Sequence, residues 1–231
     1  MIANQNVLAV VPARGGSKGI LRKNLSRIGG KPLISWTIEA ARRSNYIDKL
    51  VVSSEDAEII AAARSLGCDV PFVRPAELAR DETPGIAPVI HAISELPDFD
   101  LVVLLQPTSP LRSTADIDGC IEGCADSNVN ACVSVTRAKE SPYWMFALDA
   151  LGSLSPVLAQ SEIPDRRQDL PPVYVLNGAV YVARCAWLRE TRSFLSPETR
   201  GYVMPEERSI DIDVPQDLEL AELMLREGKR E

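Results

Sequence analysis

The chain has 231 residues, 45% hydrophobic and 25% charged, which is length and apolar content for one domain with a full core, since a domain takes about 100 to 200 residues. A formal net charge of −7 excludes a broad attraction to nucleic acid, and no apolar run approaches the about 18 residues of a membrane span. Five sparse cysteines (Cys68, Cys120, Cys124, Cys132 and Cys185) and a single histidine, His91, argue against a secreted disulfide framework and against a four-ligand zinc centre, so buried thiols in a cytoplasmic protein are expected.

Residues 1–6 are too short and polar for a signal peptide. From there, short β-branched runs alternate with amphipathic stretches. NVLAVVP predicts the first strand and PLISWTIEAARRS the helix after it; DKLVVSS is a strand, EDAEIIAAARSLG a helix and CDVPFV a further strand. APVIHAISEL then reads as a helix, DLVVLLQ as a strand buried on both faces, and STADIDGCIEGCAD as a helix starting at Ser113 or Thr114 ahead of Asp116. NACVSVT, NGAVYVAR and RSIDIDV complete the strands, and Pro215 with Asp217 and Glu219 opens a closing helix. The order predicts an α/β fold, a mainly parallel sheet with helices on both faces. One stretch breaks the alternation, from about residue 137 to 172, where prolines, aromatics and charges predict an insertion with a hairpin or short helix.

Behind the first strand runs PARGGSKGILRKN. Its glycines let backbone N–H groups approach an anion, while Arg14, Lys18, Arg22 and Lys23 concentrate four cations within ten residues of an acidic chain. The loop leaves the C-terminal end of a strand, where open α/β sheets bind ligands, yet it matches neither G-x-x-x-x-G-K-[ST] nor G-x-G-x-x-G. A solvated basic turn is the bland alternative. Near the other end, SIDID places Asp211 and Asp213 two apart, on one face if the segment is a strand, with Ile210 and Ile212 turned inward. Two neighbouring carboxylates repel unless a cation lies between them, which suits Mg²⁺ at a triphosphate site; acids that merely face water are the alternative.

With these motifs in view the chain resembles the acylneuraminate cytidylyltransferases, also called CMP-sialic acid synthetases, over nearly its whole length. The matching stretches are ARGGSKGILRKNL, RPAELARD (74–81), LLQPTSPLR (104–112), RRQDLPPVYVLNGAVYV (166–182) and SIDID (209–213). The resemblance implies a Rossmann-like nucleotide-sugar transferase fold, CTP and a nine-carbon α-keto acid as substrates, Mg²⁺, and a homodimer in which the insertion reaches the partner's site. It implies that Ala13, Arg14, Gly15, Gly16, Ser17, Lys18, Lys23, Asn24, Arg74 and Asp81 surround the nucleotide, with Arg14 and Lys23 as the catalytic cations on the triphosphate. Gln106, Ser109, Arg167, Asn177 and Tyr181 would meet the sugar, and Asp211 and Asp213 the metal.

Leu21, Val175 and residues 82–85 depart from the family pattern, so legionaminic and pseudaminic acid stand open beside sialic acid. The implied chemistry needs no nucleophilic side chain, and no general base is evident, His91 reading as structural. Two alternatives of other kinds are a nucleotide-binding homologue without catalysis and a nucleotidyltransferase for another sugar, such as a Kdo-type acid or legionaminic acid with GTP. The latter's expected acid after the LLQ strand is replaced by Gln106 and Pro107.

Overall fold

The computed structural model describes residues 1–17, 19–126, 128–158 and 166–227. Strand β1 (Val7–Pro12) leads through the basic loop to a small ribbon of β2 (Arg27–Ile28) and β3 (Lys31–Pro32), then to helix α1 (Leu33–Arg42). Next come β4 (Lys49–Ser53), α2 (Ala57–Ser65), α3 (Ala87–Glu95), β5 (Leu101–Leu105), α4 (Thr114–Ala125) and β6 (Ala131–Arg137). The insertion carries β7 (Phe146–Leu148) and β8 (Leu154–Pro156), after which β9 (Tyr174–Arg184), α5 (Cys185–Thr191), β10 (Arg200–Val203) and α6 (Pro215–Glu227) close the chain.

The central sheet has six strands in the order β10-β6-β9-β5-β1-β4. Its pairings are parallel except at β9, which runs antiparallel to both β5 and β6. Alternation along β1 sends Val7, Ala9 and Val11 to one face, where α1, α2 and α4 cover them with Ile38, Ile59 and Ile117. Leu8 and Val10 point to the other face, against Val89 and Ile93 of α3 and Leu188 of α5. A third, smaller cluster of Ile28, Leu33, Ile212 and Ala221 fastens α6 to the β2–β3 ribbon.

Helix starts follow local chemistry. Asp56 caps α2 by accepting from the N–H groups of Glu58 and Ile59, and Ser113 with Asp116 forms a reciprocal capping box at α4. Asp217 reaches back from α6 to the N–H groups of Asp213 and Val214 at 2.8 and 2.9 Å. All five cysteines are buried and free. His91 packs edge-on to Phe72 within α3. Among the described residues, no helix is long and apolar enough to cross a membrane.

Two expected strands do not form. CDVPFV makes one bridge, Val51 with Asp69, because Pro71 supplies no N–H to continue a ladder. RSIDIDV is irregular: a 3-10 turn (Glu206–Arg208) takes in its first residue, and it meets the sheet side through one backbone bond, Ile212 N–H to Thr108 O at 2.8 Å. The sheet edge belongs instead to β10, whose short, mostly exposed RGYV run carries little hydrophobic signal. The insertion leaves at the end of β6 and returns in β9, and its described part contains the β7–β8 hairpin.

Candidate active site

The C-terminal ends of β1 and β5 open into a cleft of about 410 Å³. Arg14, Gly16, Ser17, Lys23 and Asn24 of the basic loop line it, together with Arg74, Asp81, Gln106, Asp211 and Asp213. The two motifs read from opposite ends of the sequence therefore share one site, and a side chain joins them: Lys23 Nζ donates to the Ile212 carbonyl at 2.7 Å and pairs with Asp213 at 3.1 Å. The approach needs a glycine, since a Cβ on Gly19 would strike the Asp213 carbonyl oxygen.

The loop is held from within. Asn24 donates its amide to the Arg14 carbonyl at 2.9 Å, and Lys23 N–H reaches Ser17 Oγ at 3.3 Å. Of the expected cations, Arg14 and Lys23 face the cleft. Arg22 turns away, in a left-handed backbone conformation, to Asp56 and Glu58 at the start of α2. Lys18 lies outside the described residues. Ala13 is fully buried, its N–H spent on the Ser53 carbonyl. Gly15 presents no free N–H to an anion, because Glu55 Oε1 accepts it at 2.7 Å.

Across the cleft, Arg14 pairs with Asp81 at 2.6 Å, and the buried Arg74 pairs with Glu55 at 2.6 Å. On the acidic wall, burial pushes the Asp211 carboxyl above its usual range and the Asp213 charge adds to the rise, while a Thr108 hydrogen bond and Lys23 oppose it. The residue as a whole is nonetheless exposed on the cleft wall. Although the segment is not a strand, Ile212 is buried and both aspartates still face the cleft. Gly178 takes φ +73°, the left-handed region that favours glycine, close beside Gln106 and Asp211.

The remaining expected sugar residues are placed elsewhere. Asn177 is buried with its amide committed to Ser134, Ser209, Met204 and the Ala179 N–H. Ser109 is fully buried, and among the described residues its hydroxyl meets no partner. Tyr181 leans on Phe194, ring centroids 5.4 Å apart, with its hydroxyl pKa raised by burial and then by Asp211. Arg167 donates to the Lys139 carbonyl and lines a separate hollow of about 460 Å³ under the insertion, beside Arg137 and Lys139.

Sequence reasoning missed Glu55, Thr108 and Arg112. Arg112 is buried with no carboxylate partner in contact among the described residues: it donates to the carbonyls of Gln106 and Ala179 at 3.2 and 2.6 Å and to Thr37 Oγ1 at 2.6 Å, and desolvation lowers its pKa to about 10. It thereby braces the turn that carries Gln106. A signal for Glu55 was present, since it stands two residues past the end of β4, at the ligand-binding end of the sheet.

A family model described as "Cytidylyltransferase" matches residues 8–184. The CMP-N,N'-diacetyllegionaminic acid synthase of Legionella pneumophila is 36% identical, over 95% of this chain and 96% of that protein. The pseudaminic acid cytidylyltransferase of Campylobacter jejuni is 34% identical over 95% and 96%. An N-acylneuraminate cytidylyltransferase of Escherichia coli is 34% identical over 93% of this chain but 51% of its own length, so the chain spans about half of that relative. Among solved structures, a CMP:2-keto-3-deoxy-manno-octonic acid synthetase complexed with CTP superposes with a TM-score of 0.75 at 17% identity, over 96% of this chain and 99% of that one, a likeness of fold. With its model match across most of the chain and relatives above a third identical along nearly all of it, the protein belongs to the cytidylyltransferase family.

Proposed function

We propose that the chain couples CTP to a nonulosonic acid, giving the CMP-sugar and pyrophosphate. The observation that carries this reading is the Lys23 bridge from the basic loop to the Asp211–Asp213 segment, which gathers phosphate-binding cations and hard oxygen ligands in one cleft. The anomeric hydroxyl oxygen bonds to the α-phosphorus, the bond to the β-phosphate oxygen breaks with its electron pair leaving on pyrophosphate, and the hydroxyl proton passes to solvent. Among the described residues no cysteine or histidine lines the cleft, in keeping with a reaction that needs no side-chain nucleophile.

Arg14 and Lys23 bind the triphosphate and meet the charge that builds on it. Asn24 and Ser17 keep that loop in shape. Arg74, with donors only, faces the acceptor edge of the pyrimidine. The acidic pair fits Mg²⁺, which takes one or two carboxylates and completes its shell with waters and substrate phosphates. Asp211, pushed up by burial and by its neighbour's charge, gains from such a cation. When bound, Mg²⁺ supplies charge neutralisation at the phosphates.

The same reading makes the insertion a homodimer seam that carries Arg167 toward the partner's sugar. Phe146, Leu148, Leu151 and Leu154 are exposed together there, an apolar group that a monomer would leave in water. Five buried thiols suit the reducing cytoplasm.

A panel of CTP and GTP against sialic, legionaminic, pseudaminic and Kdo acids, read by pyrophosphate release, tests the function. Turnover of CTP with a nonulosonic acid is expected. Release with the Kdo acid alone, or with none, overturns the proposal. Light scattering that finds a monomer at micromolar concentration would remove the dimer.

A further inference from the structure

We infer that Glu55 is a positioning residue that couples the base side of the cleft to the phosphate loop, an inference that rests on the cytidylyltransferase reading. Its carboxylate touches both halves, beside the Arg14–Asp81 pair that also spans the cleft. Oε1 accepts the Gly15 N–H at 2.7 Å, and Oε2 accepts Arg74 Nη2 at 2.6 Å.

Both contacts are demanding. The Arg74 side chain is 3% exposed, and burying a guanidinium is costly without a paired acceptor. Glu55 supplies that acceptor, while the Arg74 N–H is tied to the Ser54 carbonyl at 2.9 Å. Among the described residues Arg74 Nε has no partner, although the side chain lines the cleft. The guanidinium is therefore oriented by Glu55 and only partly satisfied by the protein. On the other side, the bond to Gly15 fixes the loop between Arg14 and Gly16, both of which line the cleft. The next residue strengthens the link, since Asp56 holds Arg22 at 3.1 Å and so ties the same turn to the far end of the loop.

Cytosine offers two adjacent acceptors, O2 and N3, to a donor-only guanidinium, whereas uracil presents an N–H at position 3. A shift of Arg74 weakens that discrimination, and through Glu55 it also shifts the loop that positions the triphosphate. Base identity is thus read into phosphate placement. A carboxylate with both oxygens engaged is required, because either bond alone would break this link and leave the Arg14–Asp81 pair to join the two halves.

The test uses two variants and three ligands in calorimetric titrations: CTP, UTP and inorganic tripolyphosphate. Glu55→Gln keeps an acceptor for Gly15 but turns an amide NH₂ toward Arg74. It is expected to bind CTP about tenfold more weakly, to lose most of its preference over UTP, and to hold tripolyphosphate as the parent does. Glu55→Ala removes both bonds and should weaken tripolyphosphate as well. A parental preference for CTP in Glu55→Gln overturns the inference, and so does one common factor of loss for all three ligands, the sign of general loosening. A parent protein that binds neither CTP nor tripolyphosphate overturns the functional reading itself, a result distinct from either.

Discussion

Nε and Nη2 of Arg208 each lie 2.9 Å from an oxygen of the fully buried Asp116. Asp116 is also the acid of the capping box that starts α4. One carboxylate thus begins a core helix and clamps the turn from which the chain runs into Asp211 and Asp213. Burial would push Asp116 up, but Arg208 and the Ser113 bonds outweigh it and its pKa is lowered.

Replacing Arg208 by Ala should destabilise the protein by about 2 kcal/mol, less than a fully buried pair because the arginine is partly in water. Urea unfolding measures it. A loss under about 0.5 kcal/mol would reduce the pair to an ordinary surface contact.

The lowered pKa of Asp116 fixes a sign. Its folded value lies below its unfolded one, so its contribution is complete above the ordinary carboxylate range and is lost as pH falls through the folded value. Asp211, shifted upward, acts the other way, since stability declines as pH rises from the ordinary value through the raised one. Thermal melts of the parent and Asp116→Asn from about pH 7 to about pH 3 should therefore converge toward the acid end. Parallel curves would show that Asp116 does not titrate with folding.

Much of this arrangement was legible in advance, and the exceptions share a cause. β1, β5, α1 and α4 announced themselves because the core rewards their period. The acidic pair was placed correctly in the cleft for an incorrect reason: Ile212 is driven inward by the third hydrophobic cluster without any strand around it. CDVPFV was misjudged because Pro71 counts for more than residue preference, and β10 went unread because its RGYV run carries little hydrophobic signal. Contacts that depend on distant turns meeting, such as Glu55 with Gly15 or Arg112 with Ala179, leave no periodic trace.

Lys23→Ala removes a cation from the proposed triphosphate and frees Asp213. The expected rate loss is on the order of 10², with melting temperature nearly unchanged because Lys23 opens a short 3-10 turn and belongs to none of the hydrophobic clusters. Parental turnover of CTP would reject the role of the loop.

Asp211→Asn removes one of two proposed ligands, so about tenfold more Mg²⁺ should be needed for half-maximal rate. In the parent, the requirement should also grow as pH falls toward the raised Asp211 value, since the protonated carboxyl holds no cation. A magnesium titration unaltered by the substitution would exclude Asp211 from the metal site.

Gly19→Ala tests the meeting of the two motifs without touching a charge. A methyl at this position would overlap the Asp213 carbonyl oxygen, and backbone cannot swing aside as a long side chain does, so the loop and the acidic segment must part. Parting lengthens the Lys23 bonds to Ile212 and Asp213, and a displacement of about 1 Å at a phosphoryl site costs on the order of 10² in rate. The two large hydrophobic clusters hold neither side of this contact, and only the small third one adjoins it through Ile212 and Ile20, so the melting temperature should fall by no more than a few degrees, about what 1 kcal/mol produces. Measuring turnover and melting on the same preparation separates the cases. Unfolding in step with lost activity would mean that Gly19 serves the fold, and retained activity would mean that the two motifs need not touch for catalysis.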